Sequence, residues 1–284
     1  MIAFLFGAFG LLLGSFLNVM ILRHGAKAVT GRSNCLSCGR QLHSSDMIPV
    51  LSWILLRGRC RFCKSKISIQ YPLVEATTGM LFALVAIAYL PHFGFWANPL
   101  PAIILLTPYL AIAALLIAIA VYDLRHTIIP DGWVYLFDAL ALITVAIYPI
   151  EPATLPLLML AGPIAAFPLF VFWFISRGRW MGFGDVKLAL GIGWLLGPLH
   201  GIFAIFLGFV IGAIVTVPLL VISSLSAQRI SKGFTPTRAF RKLPRGFTMK
   251  SEIPFGPFLI FSCIIVWLLC IYGVDPLSTL GLLP

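Results

Sequence analysis

The stretch from Ala102 to Arg125 reads AIILLTPYLAIAALLIAIAVYDLR. Its first 20 residues, Ala102 to Val121, carry no charge. As a helix they would rise about 30 Å, the thickness of a bilayer's hydrocarbon core. Asp123 and Arg125 then fall where such a helix would leave the membrane. Further apolar runs lie near 1–22, 73–91, 133–148, 155–175, 186–198, 201–225 and 256–273, so the chain is expected to cross about eight times. Composition agrees: 60% of residues are hydrophobic and 10% charged, with a mean hydropathy of +1.03. Soluble domains carry about a quarter charged residues. A soluble enzyme, a secreted disulfide scaffold and a disordered tail are excluded. The expectation is an all-α polytopic membrane protein of about eight transmembrane helices.

The net charge of +11 comes from 20 Lys/Arg against 9 Asp/Glu, and its distribution sets the orientation. Nine basic residues lie between Arg23 and Lys66 and seven between Arg229 and Lys250; the others are Arg125, Arg177, Arg179 and Lys187. Short loops rich in Lys and Arg stay on the cytoplasmic side. With 23–72 inside, the loops at 91–101, 149–154, 199–200 and 274–284 fall outside, and none contains a Lys or Arg. Retention of loops accounts for the high pI without nucleic acid. The run 186–198 is short for a crossing, but without it the basic 229–250 loop would be exported. The first run lacks a basic start and an A-x-A-like cleavage site, and reads as a retained helix.

The chain therefore divides into a first transmembrane helix (1–22), a cytoplasmic insert (23–72) and a membrane region (73–284). The insert carries Cys35-x-x-Cys38 and Cys60-x-x-Cys63, 21 residues apart, the spacing of a zinc ribbon or knuckle. Nearby Arg32, Arg40, Arg59, Arg61 and Lys64 would lower the thiol pKa values. Four protein ligands leave no open position for a catalytic water, so zinc would hold shape only. Two disulfides or free thiols are the alternatives, and a reducing compartment disfavours disulfides. Cys263 and Cys270 lie in the last apolar run and read as packing residues.

An ionisable group at membrane depth is costly and is a functional candidate. Asp123, in Tyr122-Asp123, ends one expected helix; Asp185, in Gly182-Phe183-Gly184-Asp185, opens another at the same depth. Two such carboxylates can divide the roles of base, activating water, and acid, protonating a leaving amine. The alternatives are a helix cap at Asp185 and an ion pair of Asp123 with Arg125 or Lys187. Asp131, after Pro130, reads as an N-cap. Asp138, two turns deeper, has no assigned partner. Glu75 stands near a helix N-terminus, where the dipole favours a carboxylate. Asp46 and Asp275 read as solvated, Glu151 as an outer-loop residue and Glu252 as an inner one.

Taken together these motifs resemble the bacterial type IV prepilin peptidases, or leader peptidase/N-methyltransferases. The resemblance runs from Gly14-Ser15-Phe16-Leu17-Asn18-Val19 to Ile253-Pro254-Phe255-Gly256-Pro257. It takes in the cysteine pairs, Ile48-Pro49-Val50-Leu51-Ser52-Trp53, Tyr71-Pro72-Leu73-Val74-Glu75, Ile129-Pro130-Asp131 and the Gly182–Lys187 stretch. It implies an inner-membrane aspartic protease, with Asp123 and Asp185 as catalytic pair, that cuts the basic leader from prepilins or pseudopilins on the cytoplasmic side. It further implies N-methylation of the new terminus by S-adenosylmethionine, with Glu75 linked to methyl transfer. Asp46-Met47 departs from the pattern, which usually has an asparagine beside the Ile-Pro, and the departure bears on the methyltransferase alone. A peptidase without methyl transfer, an acid-coupled transporter and a presenilin-like protease remain as alternatives; the last lacks its Pro-Ala-Leu motif here.

Overall fold

The computed structural model describes residues 2–24, 33–147, 155–231 and 254–279. The expected loop 149–154, most of the basic loop 229–250 and the tail 280–284 lie outside these residues, as do Glu151 and Glu252. The described elements are α1 (Ile2–Arg23), the short α2 (Leu51–Leu55) within the insert, α3 (Gln70–His92) and α4 (Pro99–His126). They continue with α5 (Asp131–Ile147), α6 (Leu155–Ser176), α7 (Phe183–Leu196), α8 (Pro198–Ser231), α9 (Gly256–Ile271) and the one-turn α10 (Pro276–Thr279). Among the described residues there is no strand, only the isolated bridges Asn34–Gln41 and Arg59–Lys66. The protein is an all-helical membrane protein, and α1 and α3 to α9 overlap the eight expected crossings.

Among the described residues, five stretches are long and apolar enough to cross a bilayer: Ile2–Arg23, Gln70–His92, Pro99–His126, Pro156–Ser176 and Pro198–Pro218. The other three helices are shorter, at 17 residues in α5, 14 in α7 and 16 in α9. α7 begins three residues before the expected run and stops at Gly197, whose φ of +83° suits glycine. Its length is about 21 Å against a core of about 30 Å.

Consecutive long helices run in opposite directions, giving the bundle two ends. At one end His200 Nε2 meets Asp275 Oδ1 at 3.0 Å, joining the start of α8 to the segment after α9. Both residues were expected on the outer side. Asp275 also accepts the Leu277 N–H, so it is engaged as well as half-exposed. At the other end Asn18 Nδ2 donates to the Tyr71 carbonyl at 3.2 Å, and the His24 ring packs on Trp133 and Tyr122. The end of α1 and starts of α3 and α5 therefore gather around the end of α4. Because α7 and α9 are short and their neighbours α4 and α8 long, this end of the bundle is hollow.

Small residues let the backbones approach. A Cβ on Gly14 would stand 2.8 Å from the Glu75 Cα, and one on Gly10 2.9 Å from the Gly79 Cα. α1 and α3 thus pack through a seam of small residues, as membrane helices do where no hydrophobic effect drives association. The core centres on Phe82, Leu116, Leu188 and Trp267, all at most 1% exposed. Trp267 Nε1–H donates to the Tyr89 hydroxyl at 3.2 Å, and Tyr89 stacks on Tyr109. The tryptophan's polar atom is thereby satisfied away from water.

Candidate active site

The hollow is a cavity of about 1000 Å³ lined by Asp123, Asp131, Asp185 and Lys187 among others. One wall is the α4–α5 connection, Thr127 to Ile129, and another is the Gly178–Gly184 segment that leads into α7. Phe209, Gly212, Ala213 and Thr216 of α8 and Pro254, Phe255 and Phe258 at the start of α9 complete it.

Asp123 is 3% exposed and sits in the last turn of α4, which Thr127 ends in a left-handed conformation. Its carboxylate faces the backbone N–H of Gly256 at the N-terminus of α9. A Cβ on Gly256 would come within 2.6 Å of Asp123 Oδ2, so only glycine admits this approach. Asp185 is 6% exposed and is the third residue of α7. Its carboxylate reaches back to the backbone of Gly182, the N-cap residue, which satisfies part of the helix start. Its Oδ1 has no hydrogen-bond partner within the protein although it is buried. A buried polar atom without a partner is costly, and the residue that carries it lines the cavity.

The ion pairs that could have made these acids structural lie elsewhere. Lys187 Nζ bonds Asp131 Oδ1 at 2.8 Å and lies over the rings of Tyr135 and Phe183. Asp131 is the first residue of α5, and its carboxylate holds Lys187 across to α7 instead of capping its own helix, as the sequence led us to expect. Asp138 is 8% exposed and packs where α7 has Gly191; a larger residue there would collide with Phe137 and Asp138. Its Oδ1 also lacks a partner within the protein.

The second cluster lies in the insert. The four sulfur atoms of Cys35, Cys38, Cys60 and Cys63 lie within 4.8 Å of one another, with Cys35 and Cys63 at 3.8 Å. A Zn–S distance of about 2.3 Å in a tetrahedron places sulfur atoms about 3.8 Å apart, so the cysteines fit zinc. Each pair sits in a tight turn closed by a backbone bond to its first cysteine, Gly39 N–H to Cys35 O and Lys64 N–H to Cys60 O. The backbone N–H groups of Cys38 and Ser37 hold the Cys35 thiol down to about 6, and Ser65 lowers Cys63. The cause of both is local donors, not the basic side chains. Cys38 moves the other way, up to about 11, because the Arg40 N–H that lowers it is outweighed by burial and by the neighbouring Cys35 and Cys63. Arg40 lies on the Phe62 ring and Arg61 pairs with Asp46 at 2.7 Å. The Asp46 side chain is only 3% exposed, so it is a buried anchor of the insert and not a solvated acid.

Glu75 lies apart from the cavity, in the second turn of α3 and 7% exposed. Its Oε2 accepts the Val50 N–H at 2.6 Å. Val50 has a φ of +60°, which a β-branched residue avoids. Glu75 thereby fixes a strained turn of the insert against α3, and such strain collects at functional sites.

Residues 8–89 match the profile of the bacterial peptidase A24 N-terminal domain, and residues 110–217 that of the type IV leader peptidase family. The chain is 35% identical to the type 4 prepilin-like proteins leader peptide-processing enzyme of Escherichia coli O78:H11, over 67% of this chain and 75% of that one. It is 33% identical to the prepilin leader peptidase/N-methyltransferase of Bacillus subtilis, over 72% and 78% of the two chains. The protein of that name from Stutzerimonas stutzeri is 30% identical over 93% of this chain and 88% of its own. The chain belongs to the type IV leader peptidase family. No solved structure matches it. Asp123 and Asp185 fall within the type IV leader peptidase match, while Glu75 and the four cysteines fall within the N-terminal one. Two features of this leader peptidase's cavity were not read from sequence: the Asp131–Lys187 pair and the contact of Gly256 with Asp123. The first joins residues 56 positions apart and leaves no local signal. The second was signalled by the Pro254-Phe255-Gly256-Pro257 motif, whose role only the packing of α9 on α4 reveals.

Proposed function

We propose that the protein removes the basic leader from type IV prepilins or pseudopilins at the cytoplasmic face of the inner membrane, with Asp123 and Asp185 as catalytic pair. The observation that carries this reading is the shared cavity: two buried carboxylates from different helices border it, and the nearby lysine is engaged by Asp131. One carboxylate takes a proton from the attacking water while the other protonates the leaving amine. The unpartnered Asp185 Oδ1 can accept a hydrogen bond from water or, when protonated, donate one to a substrate carbonyl. The cavity beside the acids, lined in part by Gly184, Gly212 and Ala213, offers room for an extended substrate backbone.

The new N-terminal amine is then methylated, with Glu75 as the candidate residue. S-adenosylmethionine, the donor by family, supplies an electrophilic methyl group. Glu75 fits a role beside that cation in being a buried carboxylate at the junction of insert and α3, outside the peptidase cavity. Zinc on Cys35, Cys38, Cys60 and Cys63 would hold the insert in shape and leave no site for chemistry. Mass spectrometry of a prepilin co-expressed with and without the protein tests the reading: loss of the leader mass and gain of a methyl mass are expected only with it. An unprocessed prepilin in both samples would overturn it.

A further inference from the structure

The insert reads from sequence as a cytoplasmic unit, yet one part of it carries a run of exposed apolar side chains. Met47 is 44% exposed, Ile48 46%, Leu51 50%, Ile54 57% and Leu55 72%. Such a contiguous apolar patch on a protein surface marks something that covers it.

The tie between Val50 and Glu75 sets the depth of this patch. Glu75 is five residues inside α3, about 8 Å below its first residue, Gln70. It lies against Gly14 of α1, nine residues or about 14 Å before that helix ends at Arg23. Both helices are long enough to fill the bilayer, at 22 and 23 residues, so their ends mark the membrane surface. Val50, at 2.6 Å from the Glu75 carboxylate, stands below that surface.

We infer that the segment from Met47 to Leu55 dips beside α1 and α3 into the leaflet and is covered by lipid. Much of its backbone is paired internally, as that environment demands of polar groups. The Val50 N–H is held by Glu75, and Ser52, Ile54 and Leu56 bond back to Ile48, Val50 and Ser52. The exposed cations that follow, Arg57, Arg59, Lys64 and Lys66, suit the anionic headgroups of the cytoplasmic leaflet. The insert is then a wedge seated in the membrane, and the Glu75–Val50 bond is its hinge pin.

A photoreactive benzophenone residue placed singly at positions 51, 54 and 55 of the full protein, in native membranes with a prepilin present, tests this. Position 36 serves for comparison. Leu36 is 89% exposed, and its cysteine turn closes on itself through the Gly39 N–H to Cys35 bond. Variants that keep the parental melting temperature should give lipid adducts at 51, 54 and 55 several-fold above those at 36. Adducts no more abundant than at 36 would overturn the inference. Crosslinks to the prepilin in place of lipid would do so too, by making the patch a substrate contact.

Discussion

Asp123 and Asp185 differ from the other acids in bordering the cavity without a cationic partner. Asp123→Asn and Asp185→Asn keep the shape of each side chain but remove the acid and base, so each should abolish leader cleavage. Purified variants assayed on a prepilin check this; cleavage above the no-enzyme level would falsify the pair. Asp131 borders the same cavity but holds Lys187, and its side chain is 61% exposed. Such a pair is worth about 0–1 kcal/mol, so Asp131→Asn should lower cleavage by no more than about five-fold. A larger loss would bring Asp131 into the chemistry. Gly256 offers a test by geometry alone. A Cβ there would displace Asp123, whereas one at Gly132 meets nothing within 4 Å. Gly256→Ala should reduce cleavage by about 10²-fold, the scale of an ångström misplacement of a reacting group, while Gly132→Ala should leave it unchanged.

The eight membrane helices were legible because each is an apolar run with at most one charge, bounded by polar residues, and their orientation followed from the side on which the basic loops fall. What escaped was length. α7 starts at Phe183, and its first turn is an amphipathic cavity wall that hydropathy does not recognise as helix. α8 continues to Ser231, beyond the apolar run, because nothing in Ser226-Ala227-Gln228-Arg229 breaks a helix. The insert's cysteines were legible from spacing, but the burial of Asp46 was not, since its partner Arg61 lies 15 residues away. These four cysteines lead to a prediction for the insert as an element. The purified protein should hold one zinc, and Cys60→Ser, at the only buried thiol of the four, should lose zinc and folded yield together. Metal analysis that finds an active preparation free of zinc would remove the metal from the insert.

At the scale of the whole molecule, the two proposed sites lie at one end of one bundle. Cysteines introduced at 98 and 278 should be labelled from the periplasmic side and one at 45 from the cytoplasmic side. A common side for 45 and 278 would reverse the orientation of α9. The two proposed sites draw on different residues: the cavity is built from α4, α5, α7, α8 and α9 and the segments leading into α5 and α7, whereas Glu75 belongs to α3 and bonds the insert. Cleavage needs an acid and a base around a peptide bond. Methyl transfer needs a neutral amine aimed at a sulfonium methyl, and no residue is required by both. Glu75→Gln separates them, because glutamine keeps an oxygen to accept the Val50 N–H while removing the charge. If Glu75 acted only as a charge near a helix start it would contribute about 0.3–1 kcal/mol, too little to abolish one activity selectively. Mature pilin from cells carrying Glu75→Gln should therefore lack the methyl mass while its leader is removed at close to the normal rate. Glu75→Ala also frees the Val50 N–H, so it should lower folded yield as well. Equal loss of both activities in Glu75→Gln would make the residue purely structural, and unchanged methylation would take it out of the site.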